Sequence, residues 1–159
     1  MESQSAPPQV QIKHKTFTYH TNLSWIENRA GMLRSGEKQA FRVASPPEFK
    51  GEAGVWSPED LFVASVEVCT MATFLAFAQR YQVPLVSYGS TAEGILEFVD
   101  GRYQFTKVIV HPSVVVRTSD GVEPAERAIH DAHKGCLIAH SIKAEVLVEP
   151  HITVEPINS

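Results

Sequence analysis

Two cysteines, Cys69 and Cys136, are the residues of this 159-residue chain whose type suits redox chemistry. Each has a plain reading. Cys69 in an apolar helix behaves as a small hydrophobe, and Cys136, beside Gly135, is a helix-boundary residue. Taken together they admit another. If the fold joins them, one thiolate attacks a peroxide oxygen, becomes a sulfenic acid and is resolved by the other as a disulfide. The attacking group must be a thiolate, so a nearby cation has to lower a pKa that burial raises. In a reducing compartment two cysteines do not suggest a structural disulfide framework.

Other constellations are weaker. His130, His133 and Cys136 recur every three residues, with His140 four further on. That spacing can align metal ligands on a helix, but Gly135 is expected to break the helix and no Cys-x-x-Cys or carboxylate cluster completes a set. No metal and no cofactor is therefore expected. A Cys69–His hydrolase dyad lacks an oxyanion-hole signature. Phe49, Trp56 and Phe62, with Met71 and Phe74 beyond them, would line an apolar pocket or serve as core; Met71 and Phe74 read as core.

The elements that must hold these residues show local signals. Ser57-Pro58-Glu59-Asp60 combines a capping hydroxyl, a proline suited to the first helical position and two acids where the helix dipole favours them. A helix is expected from about Pro58 to Arg80. Only Glu67 interrupts its apolar middle, so most of its faces should be buried. Val83-Pro84 ends it. Tyr88–Phe98 and Tyr103–Val116 read as strands joined by a hairpin turn at Asp100-Gly101. A second helix spans Glu123 to Lys134 and stops at Gly135, and Ile142–Val154 alternates as a last strand. Upstream, a strand is expected from Val10 through Phe17 and Tyr19, another at Leu23–Ile26, turn structure at Asn28–Gly36 and a short strand at Ala40–Ala44. Phe49 and Trp56 sit in a connection that should cover a core edge or a ligand. The class is α+β, with antiparallel sheets packed around two helices. Residues 1–8 read as a flexible polar tail and 9–159 as a single domain.

Composition narrows the partners. The formal charge is −4, with no basic block, which argues against binding driven by phosphate neutralisation and hence against nucleic acid. No uninterrupted apolar run reaches the ~20 residues of a membrane span, so no membrane association is expected. The first residues lack a basic start and an apolar stretch, so a cytoplasmic protein is the default expectation.

The segment Ser57-Pro58-Glu59-Asp60-Leu61-Phe62-Val63-Ala64-Ser65-Val66-Glu67-Val68-Cys69 resembles the Asn-Pro-Glu-Gln-Leu-x-x-Ala…Cys helix of the OsmC/Ohr family, the osmotically inducible and organic-hydroperoxide-resistance proteins. Ala132-His133-Lys134-Gly135-Cys136 is similar to the segment holding that family's second cysteine. The order of elements also matches across nearly the whole chain. The resemblance implies an OsmC-like fold in an intertwined homodimer that reduces organic hydroperoxides, with a dithiol or lipoylated protein as reductant. It implies that Cys69 is the peroxidatic thiolate and Cys136 the resolving thiol. An arginine of an N-terminal turn would hold the thiolate. Asn28-Arg29-Ala30-Gly31 matches that turn, with Arg34 as competitor, and Glu59 would orient the arginine.

Ten helical residues span ~15 Å, so Glu59 cannot touch Cys69 along one straight helix. It acts through a long arginine, or from a second subunit whose helix runs antiparallel. An almost all-round apolar helix fits such a two-fold pairing. The chain departs from the family at Leu137, where a proline is usual, at Ser57, which keeps the cap, and at Glu67, an acid two positions before Cys69. A non-enzymatic protein holding an apolar molecule at the dimer interface is the alternative the sequence leaves open.

Overall fold

The computed structural model of the protein describes residues 14–156. The polar tail 1–8 and the strand positions Val10 and Ile12 lie outside the described residues. Phe17 and Tyr19, expected to continue that strand, are in exposed irregular chain. Three short strands follow: β1 (Asn22–Glu27), β2 (Ala30–Arg34) and β3 (Phe41–Ala44), paired antiparallel in the order β1-β2-β3. The region 28–36 is thus not one turn. Only Asn28-Arg29 turns between β1 and β2, with Asn28 at φ 45°. Gly31 is a central-strand residue instead, and a Cβ there would lie 2.9 Å from Leu23 Cδ1. It marks a close approach of strands rather than a bend.

Helix α1 (Pro58–Arg80) has the bounds the sequence suggests. Ser57 Oγ accepts from the Asp60 amide at 3.1 Å, and Asp60 Oδ2 accepts from the Ser57 amide at 2.9 Å. This reciprocal cap satisfies two amides that the first turn would leave free. Ser57→Ala should cost about 1 kcal/mol, a fall of roughly 2–4 °C in melting temperature for a domain of this size, measurable by thermal denaturation.

Strands β4 (Leu85–Val99) and β5 (Arg102–Val116) form a long antiparallel hairpin. Its turn residues Asp100 and Gly101 both have positive φ, 52° and 78°, as the right-handed twist of a two-residue hairpin demands. Helix α2 (Val122–Gly135) follows and ends when Cys136 takes an extended conformation, φ −67° and ψ 111°. Gly135 is therefore the last helical residue and not a left-handed stop. A further turn of helix, α3 (Leu137–His140), starts directly after Cys136.

The end of the chain differs from the single strand expected over 142–154. It forms β6 (Glu145–Val148) and β7 (His151–Val154), both parallel to β5. Glu149-Pro150 lies between them, opposite His111-Pro112 of β5. Prolines on both sides have no N–H to give, so the ladder is interrupted there. The sheet of β4 to β7 is accordingly mixed, while that of β1 to β3 is wholly antiparallel.

One stripe of α1, Val66, Thr70, Phe74 and Ala78, is buried at a spacing of four. Phe74 and Ala78 pack with Val114 and Val116 of β5 and with Ala125, Ala128, Ile129 and Ala132 of α2. Small residues on α2 let the two helices approach closely. Val66 joins Val108, Val110 and Ala144 in a second cluster. The rest of α1 is less covered than its composition suggests: Val68 is 57% and Leu75 40% exposed. By length and composition α1 would also suffice to cross a membrane, although Glu67 interrupts its apolar run. Its buried stripe against α2 and β5 makes it a core helix.

Candidate functional site

The site is set by the junction of α2 and α3 against the middle of α1. Cys69 is half-buried on α1, while Cys136, at the junction, is 1% exposed. Both thiols are free and interact with each other. Burial pushes the Cys69 thiol up. The backbone amide of Ile138, the Cys136 thiol, the Thr73 hydroxyl and the Leu137 amide together outweigh it and hold Cys69 below the usual thiol range. Burial pushes Cys136 up, and the neighbouring Cys69 sulfur adds to this. The Ala139 amide lies 3.5 Å from Cys136 Sγ, and together with Thr70 opposes the rise. One thiol is thus biased to ionise and the other to keep its proton, because a second charge beside the first is disfavoured.

This asymmetry has a kinetic consequence. A depressed pKa keeps the thiolate present at lower pH, and reactivity is lost as pH falls through that depressed value. Iodoacetamide should therefore modify Cys69 of the reduced native protein at neutral pH while Cys136, buried and protonated, lags. Peptide mass mapping across a pH series checks the order. Equal rates at every pH would remove the asymmetry.

The donors that lower Cys69 are not the ones the sequence points to. Leu137 and Ile138 belong to the turn α3, and Thr73 lies one turn beyond Cys69 on α1. The sole hint was that Cys136 sits at a helix boundary, where backbone groups are unpaired. Arg29 is exposed, and its Nη1 donates to the Phe49 carbonyl at 2.6 Å. Arg34 stands exposed at the end of β2, opposite Asn22. Within this chain neither is among the leading influences on the Cys69 thiol. Glu59, in the first turn of α1, has a buried Oε2 without a hydrogen-bond partner among the described residues.

Glu59 lines a cavity of about 890 Å³ that also takes Phe49 and Trp56, but neither cysteine. Phe62 stacks on Phe105 with ring centroids 4.5 Å apart and packs into the second core cluster. Phe105, not Phe62, reaches the cavity wall. Gly94 of β4 lies there too, and a Cβ on it would come within 2.5 Å of Val63 on α1. Glu67 also faces this cavity, and Ser90 of β4 donates to its Oε1 at 2.6 Å. The unexplained acid of the helix is thus tied to the sheet within its own chain. His130 is exposed and His140 Nε2 donates to the Lys134 carbonyl at 2.5 Å. Among the described residues no three His, Cys, Asp or Glu side chains group as metal ligands.

The model of the family described as OsmC-like protein matches residues 51–151, from the loop before α1 to the start of β7. This chain belongs to the OsmC-like family. Its OsmC-like fold has relatives in several bacteria. YmaD of Bacillus subtilis is 23% identical over 142 residues, 86% of this chain and 94% of that protein. An OsmC-like protein of Vibrio cholerae superposes with a TM-score of 0.78 at 25% identity, covering 86% of this chain and all of the other. The organic hydroperoxide resistance protein OsmC of Legionella pneumophila superposes at 0.68 with 21% identity, over 90% of this chain and all of its own. The segment 51–151 contains every element that shapes the thiol pair, α1, α2 and α3.

Proposed function

We propose that this OsmC-like protein is a cysteine-based peroxidase that reduces organic hydroperoxides in a stress-related role. The observation that carries the reading is the unequal thiol pair: a half-buried Cys69 held toward thiolate beside a buried, protonated Cys136. The name of the Legionella pneumophila protein, which shares the fold, points the same way.

In the proposed cycle the Cys69 thiolate attacks the outer peroxide oxygen. The O–O bond breaks, the alkoxide takes a proton to leave as the alcohol, and Cys69 becomes a sulfenic acid. Cys136 then attacks that sulfur and expels the hydroxyl as water. The resulting disulfide takes two electrons from a dithiol or lipoylated-protein reductant. The amides of Leu137 and Ile138 hold the starting thiolate in one protomer.

Arg29 and Glu59 complete the site in a homodimer. Antiparallel pairing of two α1 helices puts Glu59 of one copy beside Cys69 of the other, and covers Val68. Arg29 already bonds the carbonyl of Phe49, whose side chain shares the cavity with Glu59. Phe49 and Trp56 receive the organic group of the substrate, and Phe62 supports the wall through Phe105.

The test is direct. Reduced protein is treated with excess cumene hydroperoxide and its free thiols are counted. Both should disappear, with one alcohol released per disulfide formed. Survival of both thiols would end the peroxidase reading. It would favour the second one, a binding protein, which has one observation behind it: the cavity is large and has no cysteine in its wall.

A further inference from the structure

The cavity beside α1 has an unusual charge for a space meant to receive lipid-like molecules. Among the described residues its wall contains no Lys, Arg or His, while Glu48, Glu52, Glu59, Asp60 and Glu67 all reach it. Two of these are already engaged. Asp60 caps α1 through the Ser57 amide, and Glu52 is paired with Arg42 at 2.8 Å. Glu59 is assigned to the arginine in the proposed site. Glu48 is exposed. Glu67 remains, a half-buried carboxylate of the wall that makes no ion pair among the described residues.

Its position is held firmly. It is half-buried on a long helix and receives the Ser90 hydroxyl at 2.6 Å from the adjoining strand. Beside it the Tyr88 hydroxyl is buried and meets no geometric hydrogen-bond partner among the described residues, with Ser90 nearby. Burial raises its pKa, Ser90 opposes that, and the Glu67 charge adds to the rise. The aromatic faces of Phe49, Trp56, Tyr103 and Phe105 make the remaining wall apolar. A low-dielectric wall carrying one sign of charge projects that charge into the space it encloses.

We infer that this cavity selects hydroperoxides by charge, and that Glu67 is the residue that makes it reject anionic ones. Neutral alkyl, aryl and esterified lipid hydroperoxides enter. Those with a free carboxylate pay repulsion from Glu67 on entry. The inference rests on the peroxidase reading and names the substrate class of the same site. It also gives a role to the one acid in the apolar middle of α1.

A matched pair of ligands tests it: a fatty acid hydroperoxide and its methyl ester, alike except for the carboxylate. With the full-length protein at low ionic strength, kcat/KM for the ester should exceed that for the acid by about tenfold. The gap should shrink as salt rises toward ~0.15 M, where screening acts over ~8 Å. Glu67→Gln, which keeps an acceptor for Ser90, should lower the ester-to-acid ratio at least threefold. Glu126→Gln, on the exposed face of α2, removes the same charge elsewhere and should leave the ratio as it was.

Binding is read separately. The corresponding hydroxy acid and its methyl ester, which cannot react, are titrated against tryptophan fluorescence, and the ester should bind more tightly. No turnover of either hydroperoxide, with the binding preference intact, would refute the peroxidase reading and leave the charge selection standing. Equal binding of acid and ester, or a ratio unmoved by Glu67→Gln, would overturn the selection whatever the activity.

Discussion

Cys69→Ser is expected to abolish hydroperoxide reduction, a loss of at least ~10³-fold in turnover, without loss of fold. A hydroxyl ionises far above a thiol, and the amides of Leu137 and Ile138 with the Thr73 hydroxyl cannot bring it into the neutral range. The two side chains differ by one atom, so the packing of α1 is nearly unchanged. Cys136→Ser should behave differently. The first attack still occurs, because Thr73 and the α3 amides remain, but no resolving thiol follows. The protein should then gain one oxygen in intact mass and react with a dimedone-type probe at Cys69. Full turnover of Cys69→Ser would sink the proposed cycle. A Cys136→Ser protein that forms no sulfenic acid would show instead that the resolving thiol is needed to activate the first.

Phe74→Ala is expected to cost about 3–5 kcal/mol, the usual range for removing a fully buried aromatic side chain. Phe74 is 0% exposed, stacks on Tyr88 at 5.2 Å and joins α1 to both α2 and β5. At roughly 2–4 °C per kcal/mol for this size, the melting temperature should fall by about 6–20 °C. The comparison is Val68→Ala, six residues earlier on the same helix and 57% exposed within this chain. If α1 pairs with a second copy, Val68→Ala weakens association, which sedimentation over a dilution series would report. If the protein is a monomer, Val68→Ala should change stability by less than ~0.5 kcal/mol and leave sedimentation unaltered. A Phe74→Ala protein that melts like the parent would mean that the α1–α2 core is not as tightly joined as its burial indicates.

How far the sequence could be read depended on the range of the interactions involved. Helix α1 was legible at its start, because a serine–proline–acid sequence acts through neighbouring backbone groups; its end at Arg80 comes before Val83-Pro84, where Gln82 takes a left-handed φ of 54° and the Val83 amide closes on the Ala78 carbonyl. The Asp100-Gly101 turn was legible for the same reason: its two positive φ angles need those residue types. Gly31 misled, because a glycine that permits close strand packing and one that permits a turn look alike in a sequence. The C-terminal strands were misread because their parallel pairing with β5 depends on contacts more than 30 residues away. The all-round apolar character of α1 was clear, but such a pattern does not say whether the cover comes from its own chain.

The candidate site divides in the same way. The two cysteines, the element carrying each and the chemistry that would join them were readable from residue type and position, since a thiol's reactions belong to its sulfur. Which groups tune those thiols was not. The donors acting on Cys69 come from α3 and from Thr73, and Glu67 meets Ser90 across 23 residues of sequence. Local backbone preferences and side-chain chemistry are properties of short segments, so the sequence alone determined the helix, the hairpin and the elements that carry the two cysteines. Proximity between distant segments follows from packing the whole chain at once. Only the tertiary structure decided that the sulfurs meet, which amides face them and what charge the neighbouring cavity presents.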